Sequence, residues 1–272
     1  MAPNSIVKTG GRRGFVRFAL AVLLGLSVTA GAQTITITNG VQKFGSLSGT
    51  TVNMSGRCEL WVTNAVTPLS GCTINLNSTD AWLFLPGVKP SVVAGSYLGQ
   101  VYVGGAAAVA DTSCRVVQYG QNGAVVIPEP SNFKPLTTYS GPQFSGPARQ
   151  YSQWAYYTGT GLTNISSFKL KRGYQAVFAQ SSDGKSWSKC YVAQDGDLEI
   201  GVMPSTLDRQ VQFIYVTPWR WTSKKGIAGN PPYSALNVNW WYDWNIDQSS
   251  SRDLEYVAIR QSQYWPGLGQ NW

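Results

Sequence analysis

Residues 139–146 read Tyr-Ser-Gly-Pro-Gln-Phe-Ser-Gly, and residues 164–170 read Asn-Ile-Ser-Ser-Phe-Lys-Leu. In the first stretch a second aromatic residue follows Tyr139 by five positions, and a glycine comes two positions later. Aromatic rings at this spacing pack across a folded hairpin, and glycine accepts a backbone conformation that other residues resist. The second stretch places two serines before an alternating sequence, so the two stretches predict a hairpin followed by a strand.

This spacing resembles the Greek-key motif of the βγ-crystallin family. A poorer copy runs through residues 174–216, where Asp183 and Lys185 take the places of the second aromatic residue and the glycine. The resemblance implies a βγ-crystallin-like Greek-key domain over residues 133–216, after a proline-rich linker.

Microbial members of this family often bind calcium through Asn or Asp residues just before the paired serines. The matching positions here hold Leu162 and Thr163 in the first copy, and Asp208 and Arg209 in the second. Leucine has no side-chain oxygen and arginine is positively charged, whereas calcium requires several oxygen ligands. We therefore expect a calcium-independent domain, and we predict neither a metal nor another cofactor.

The composition is typical of a mainly β protein. The chain has 29 glycines, 14 tyrosines and only 12% charged residues, which favours strands and turns over helical bundles. It contains no histidine. This excludes Ser-His-Asp and Cys-His catalysis and histidine-ligated metals.

The first residues have the pattern of an export signal. Four basic residues precede an apolar run at 18–28 that is too short to cross a bilayer, and small residues follow at 30–32. Residues 1–32 thus predict a signal peptide, for the general secretory or the twin-arginine route. The mature protein is expected to be secreted or at the cell surface, without a membrane span. The remaining 17 basic and 13 acidic residues leave only +4, so we expect no nucleic-acid partner.

Residues 33–128 alternate between small or polar residues and larger aliphatic ones, as short strands with one buried face do. The segments are Thr50-x-Val52-x-Met54, Cys58-x-Leu60-x-Val62, Cys72-x-Ile74-x-Leu76, Ala81-x-Leu83-x-Leu85 and Gly99-x-Val101-x-Val103. Their variable spacing favours a short parallel β-helix. An antiparallel β-sandwich alternates in the same way and is the alternative.

Cysteines in an exported chain are candidates for disulfide bonds. Cys58 and Cys72 share the same phase of the alternation, and equivalent positions on neighbouring turns of a β-helix lie about 4.8 Å apart. They are therefore the predicted disulfide candidates. Cys114 and Cys190 are explained equally well by a disulfide or by burial as small residues.

Residues 217–272 hold seven of the eleven tryptophans. Two apolar segments with aromatic ends, 235–245 and 254–261, resemble the first strands of the (β/α)8 barrel of glycoside hydrolase family 128, which is endo-β-1,3-glucanase-like. The resemblance implies the truncated start of such a barrel.

The barrel resemblance also implies a substrate-binding strand end. Its predicted residues are Tyr242, Asp243, Trp244 and Asn245. Indole faces pack on the C–H groups of sugars while polar neighbours bond to the hydroxyls. The alternative is that these aromatic residues alternate between core and surface, as in any buried strand.

Hydrolysis of a glycosidic bond by the retaining route needs two carboxyl groups about 5–5.5 Å apart. Asp243 and Glu255 are candidates by position only, and in such barrels the acids lie on later strands. We therefore predict no catalytic residue in this chain, which alone should be inactive.

These expectations combine into an exported polysaccharide-active protein. In this interpretation the chain is the front part of a glycoside hydrolase that acts on β-glucan, with its catalytic acids beyond Trp272. The alternative is a non-enzymatic extracellular protein that binds glycans or mediates adhesion.

Overall fold

The computed structural model describes residues 33–222, 225–229, 236, 238–246 and 248–258. The predicted signal peptide, residues 1–32, lies outside the described residues. No helix in the described part of the chain is long and apolar enough to cross a membrane.

Residues 33–128 form short strands that wind in successive turns. They are β1 Gln33–Ile37, β2 Gly40–Phe44, β3 Leu47–Ser48, β4 Thr50–Met54, β5 Cys58–Val62, β6 Leu69–Ser70, β7 Thr73–Leu76, β8 Ala81–Leu85, β9 Val101–Val103, β10 Ala106–Ala107, β11 Cys114–Gly120 and β12 Gly123–Pro128. A helical segment at 90–100 precedes β9.

Parallel pairing joins the successive turns. In the first sheet β1 pairs with β4, β4 with β7 and β7 with β9. In the second sheet β2 pairs with β5 and β5 with β8, while β3 and β6 form a short third side. This is a parallel β-helix, because an antiparallel sandwich pairs neighbouring strands in opposite directions. Alternate residues such as Val52, Leu60 and Ile74 are buried inside it.

The predicted stacking of Cys58 on Cys72 is wrong in register. Cys58 opens β5 and lies opposite Gly40 and Ala81 in the second sheet. Cys72 comes directly before β7 of the first sheet. Both are buried, as expected, but all four cysteines of the chain are free thiols in the structure. Equal phase along the sequence did not mean equal position, because the two segments belong to different sides of the helix.

Residues 133–218 are all described and form two four-stranded antiparallel sheets. Their strands are β13 Leu136–Tyr139, β14 Ala148–Tyr151, β15 Tyr156–Thr158, β16 Ser167–Leu170, β17 Tyr174–Ala179, β18 Ser188–Ala193, β19 Leu198–Ile200 and β20 Phe213–Pro218. The sheet orders are β14-β13-β16-β19 and β15-β20-β17-β18. The third strand of each four-strand motif therefore joins the other motif's sheet. This interlocked Greek-key arrangement encloses one core.

The hairpin at 139–146 has the structure that its residue spacing predicted. The rings of Tyr139 and Phe144 pack at 5.7 Å in an edge-on arrangement, and Gly146 has φ +75°. Ser167 holds the hairpin in place, because its hydroxyl donates to the Gly141 carbonyl at 2.6 Å and accepts from the Phe144 N–H at 3.0 Å. The paired-serine position thus has a structural role.

The last region contributes β21 Trp221–Thr222, β22 Gly226–Ala228, β23 Trp240–Tyr242 and β24 Glu255–Tyr256. The last three form a small parallel sheet. In a (β/α)8 barrel a helix follows each strand, but the described residues between β23 and β24 contain no helix. There Ser251 closes a turn by accepting from the N–H of Leu254 at 3.0 Å. The strands β22, β23 and β24 therefore do not show the expected start of a (β/α)8 barrel.

We call the described residues of 219–258 the strap, because they run back along the β-helix. β21 adds to the second sheet beside β11 in parallel. The buried Asn239 donates to the Gln121 carbonyl at 2.9 Å. Asp253 accepts from the N–H of Ser91 at 2.8 Å. These contacts tie the strap to the first domain.

A buried charge cluster joins the β-helix to the Greek-key domain. Arg115 of β11 forms an ion pair with Glu129, which also accepts from the hydroxyl of Tyr174. The Arg115 guanidinium lies 4.9 Å from the centre of the Tyr174 ring. Desolvation raises the pKa of Glu129 and lowers the pKa of Arg115, so burial disfavours both charges and each requires the other.

We predict that Glu129→Gln destabilises the protein by about 3 kcal/mol, because it leaves the buried Arg115 without a counterion. The control is Glu199→Gln, which breaks the exposed pair with Lys169 and should change stability little, because solvent screens exposed pairs. Denaturant unfolding of both variants measures the difference. Equal losses would show that the buried cluster does not hold the domains together.

Candidate functional site

The structure brings the predicted aromatic residues of β23 together. Trp241 is only 9% exposed and packs against Tyr256 at 4.9 Å. On the other side of the strand, Tyr242 lies nearly parallel to Trp240 at 6.3 Å. Trp244, at 57% exposure, meets the Tyr242 ring edge-on at 5.1 Å. Trp241 thus packs inward, and Tyr242 and Trp244 form an outward aromatic pair.

Asp243 and Asn245, the polar members of the predicted set, bond to each other, and Asp243 also bonds to Tyr256. Asp243 accepts from the backbone N–H and the side-chain amide of Asn245, both at 3.1 Å, and from the hydroxyl of Tyr256 at 3.0 Å. Desolvation acts to raise the pKa of Asp243, but these hydrogen bonds outweigh it and lower the pKa. Both carboxylate oxygens therefore have partners within the strap, and Asp243 is poorly suited to donate a proton.

A larger aromatic surface lies on the outer face of the second sheet of the β-helix. Trp61 of β5 stacks on Phe84 of β8 at 4.3 Å with 7° between the ring planes. Tyr119 of β11 meets both rings edge-on, at 5.3 and 5.1 Å. Trp221 of the strap packs edge-on against Trp82 at 5.7 Å. These rings form one continuous apolar cluster with Val117, Val125 and Ile127.

Strand alternation explains how these rings come to one face. In β8, Leu83 and Leu85 belong to the core inside the β-helix, while Trp82 and Phe84 belong to the outer cluster. Successive side chains of a strand point to opposite faces. All five residues of β8 are buried, so this strand is covered on both sides.

Two adjoining pockets open on this aromatic surface, and we call them together the cleft. The larger, of about 530 Å³, is lined by Tyr119, Gly120, Gln194, Trp219, Arg220, Trp221, Thr222 and Trp240. The smaller, of about 210 Å³, is lined by Glu59, Trp61, Trp82, Phe84, Tyr119, Arg172, Gln194, Asp195 and Trp221. The β-helix, the Greek-key domain and the strap all contribute walls, so the cleft exists only where the three parts meet.

Paired charges border the smaller pocket. The Arg172 guanidinium lies 3.6 Å from the centre of the Trp82 ring and donates to Glu59 at 2.6 Å. The other oxygen of Glu59 accepts from the indole N–H of Trp61 at 2.9 Å. Desolvation lowers the pKa of Arg172 despite the Glu59 charge. Arg172 and Glu59 thus neutralise each other, and Asp195 adds a further carboxylate to the lining of this pocket.

Two residues that line the larger pocket have donors without partners in the part of the chain that the structure describes. Nη2 of Arg220 donates to the Ser251 carbonyl at 2.7 Å. Among the described residues, Nη1 of Arg220 and the indole N–H of Trp219 are buried and have no hydrogen-bond partner. Buried polar groups are usually satisfied. Two residues that line this pocket therefore each have a buried donor with unused hydrogen-bonding capacity.

Sequence reasoning missed most of the cleft. It singled out the tryptophan-rich strap, but Trp61, Trp82, Phe84 and Tyr119 belong to four separate positions along the β-helix. The available signal was their phase. These four residues lie on the outer side of strands whose inner face is aliphatic. Outward positions of such a strand are expected to be polar, but here they hold large aromatic residues.

Two of the four positions matched to calcium ligands hold side chains that cannot coordinate the ion. Leu162 is buried in the Greek-key core. Arg209 reaches the Ser166 hydroxyl at 3.4 Å. In the described part of the chain no group of three or more acidic, cysteine or histidine side chains is arranged to hold a metal ion.

No protein-family model and no curated protein matches the chain. Among solved structures it is similar to a βγ-crystallin domain from Flavobacterium johnsoniae, with 20% identity and a TM-score of 0.27 over 30% of this chain and 93% of that one. The N-terminal domain of Protein S has 20% identity and a TM-score of 0.28, with coverages of 32% and 98%. A βγ-crystallin domain from Clostridium beijerinckii has 12% identity and a TM-score of 0.27, with coverages of 31% and 98%.

The middle domain is βγ-crystallin-like, and its interlocked strand order is the basis for that description. The resemblance of residues 217–272 to glycoside hydrolase family 128 finds no support in the comparisons or in the pairing of β22, β23 and β24.

We predict that Gly226→Ala distorts the larger pocket. A Cβ atom at Gly226 would lie 2.0 Å from the Trp240 ring, so the indole must move, at a cost of about 1–3 kcal/mol. Gly45→Ala is the control, because a Cβ atom there meets nothing within 4 Å. Near-ultraviolet circular dichroism and denaturant unfolding report the change. An unchanged Gly226→Ala spectrum would contradict this placement of Trp240.

We also predict that calcium leaves the protein unaffected. The melting temperature of the chain should be the same in millimolar calcium and in a chelator, because the ligand positions hold Leu162, Thr163 and Arg209. Calorimetric titration provides a second measurement. Binding tighter than about 10 μM, within the range of calcium sensors, would disprove the expectation.

Proposed function

We propose that this chain is an extracellular polysaccharide-binding protein that holds a short glycan segment in the cleft. The observation that carries the proposal is the joining of aromatic faces and polar groups in one recess, built from Trp61, Tyr119, Trp221 and Trp240 with Gln194 and Arg220. Export through a signal peptide at residues 1–32 is part of the same proposal.

The chemistry of the cleft suits a sugar. Pyranose rings present C–H faces that pack on indole and phenol rings, and their hydroxyls require polar partners around the rim. A volume of about 530 Å³ lies within the usual range for small-molecule sites. A recess lined by aromatic residues of the β-helix and the strap, with polar residues of the Greek-key domain beside them, can contact more than one sugar unit.

Binding fits the charges of this region better than hydrolysis does. A general acid must hold a proton near neutral pH, which requires a raised pKa. Glu59 accepts one hydrogen bond on each oxygen and is paired with Arg172, and Asp243 has a lowered pKa. With its lowered pKa, Asp243 is not in the environment of a general acid. The β-glucan hydrolase expected from the sequence therefore gains no support from this geometry.

We predict that Trp221→Ala weakens polysaccharide binding by about tenfold, since this ring lines both pockets and aromatic anchors dominate binding energy. The control is Trp187→Ala, an exposed tryptophan of the Greek-key domain that does not line the cleft. Affinity electrophoresis against a panel of soluble polysaccharides measures both variants, with denaturant unfolding to confirm folding. Equal binding by the two variants would remove the cleft as the site.

A Trp61→Ala variant tests the smaller pocket separately.

The same panel should release no reducing sugar when incubated with the protein. Release at an enzymatic rate would favour the hydrolase over the binding protein. Failure of the unaltered protein to bind any member of the panel would refute the proposed function.

A further inference from the structure

We propose that the cleft selects a sugar unit bearing an oxyanion, a carboxylate or a sulfate, and that Arg220 provides its countercharge. This deepens the proposed polysaccharide binding and rests on it. The proposed anionic ligand differs from the neutral β-glucan that the sequence suggested.

Arg220 is charged and poorly compensated. Among the described residues, its hydrogen-bond partner is the neutral carbonyl of Ser251, which accepts from Nη2, and Nη1 is buried without a partner. No carboxylate of the described chain lies within 4.0 Å of it. Arginine remains protonated in proteins, so the wall of the larger pocket has a positive charge with no carboxylate of the described residues in ion-pair contact.

The other arginine of the cleft, Arg172, has a carboxylate partner, unlike Arg220. Arg172 lines the adjoining pocket and is paired with Glu59 at 2.6 Å. Glu255 and Asp253 influence Arg220 electrostatically, but neither is within ion-pair distance, and Asp253 is bonded to Ser91. The two pockets thus differ in charge balance, although they share the same aromatic surface.

The lining of the larger pocket favours an anion over a neutral sugar. It contains one charged residue, Arg220, and no carboxylate. Low dielectric around a partly buried charge strengthens its attraction to an anion beside it. A guanidinium accommodates carboxylate and sulfate oxygens alike. A sugar ring stacked on Trp221 or Trp240 would bring such an oxyanion toward Arg220.

Matched ligands separate charge from sugar shape. Binding of the 33–272 chain should be measured by calorimetry to polygalacturonate and its methyl ester, and to dextran sulfate and dextran. We expect the charged member of at least one pair to bind at least about tenfold more tightly. The pair that shows the preference tells whether the oxyanion is a carboxylate or a sulfate.

Three variants assign the preference to Arg220. Arg220→Gln should reduce binding of the preferred anionic polymer to that of its neutral partner, and Arg220→Lys should retain part of the preference. Arg149→Gln removes the same charge from an exposed site in the Greek-key domain and should change little. Unfolding curves verify that each variant is folded.

The outcomes distinguish the two proposals. Equal affinity for charged and neutral members of both pairs overturns the anionic selection but leaves polysaccharide binding in place. Equal weakening by Arg220→Gln and Arg149→Gln also overturns it, since attraction would then come from net charge alone. No binding to any of these polymers or to laminarin refutes the proposed function itself.

Discussion

The second sheet of the β-helix is apolar on both of its faces, and this constrains the position of the rest of the chain. Its inner face fills the β-helix with aliphatic side chains, as the stacked turns require. Its outer face carries Trp82, Phe84 and Val125, which would lie in water if the β-helix stood alone. Exposed apolar patches of this kind are usually covered. Arg172 of the Greek-key domain and Trp221 of the strap cover part of this face, and the cleft remains where the cover is incomplete.

Features set by near neighbours in the sequence could be predicted. The hairpin at 139–146 depends on two aromatic residues and one glycine within eight positions, and its contacts form as the spacing indicated. The alternation of Thr50 to Val62 likewise determines which side chains enter the core. In the weaker copy of the hairpin motif, Gly184 has φ +72°, one position before the expected glycine. Asp183 there accepts from Ser181 and Lys185, so hydrogen bonds take the place of aromatic packing.

Features set by distant parts of the chain could not be predicted. The phase of Cys58 and Cys72 is correct, but their sides of the β-helix depend on loop lengths that alternation does not encode. The tryptophans of the strap suggested a barrel, yet their burial depends on surfaces formed more than a hundred residues earlier. Of the predicted site, Tyr242 and Trp244 do form an outward pair. The cleft itself also needs Trp61 and Tyr119, which no local pattern connects to the strap.

The tie between Ser91 and Asp253 spans 162 residues of sequence, and this affects the order in which the protein assembles. Contacts between distant residues form slowly, because a long loop must close before they are gained. The turns of the β-helix and the Greek-key domain rely on shorter loops and can form as the chain emerges. The strap needs surfaces of both domains in order to dock. A newly made chain would therefore pass through a stage in which its two domains are folded and the cleft is absent, so the cleft is the last feature of the fold to form.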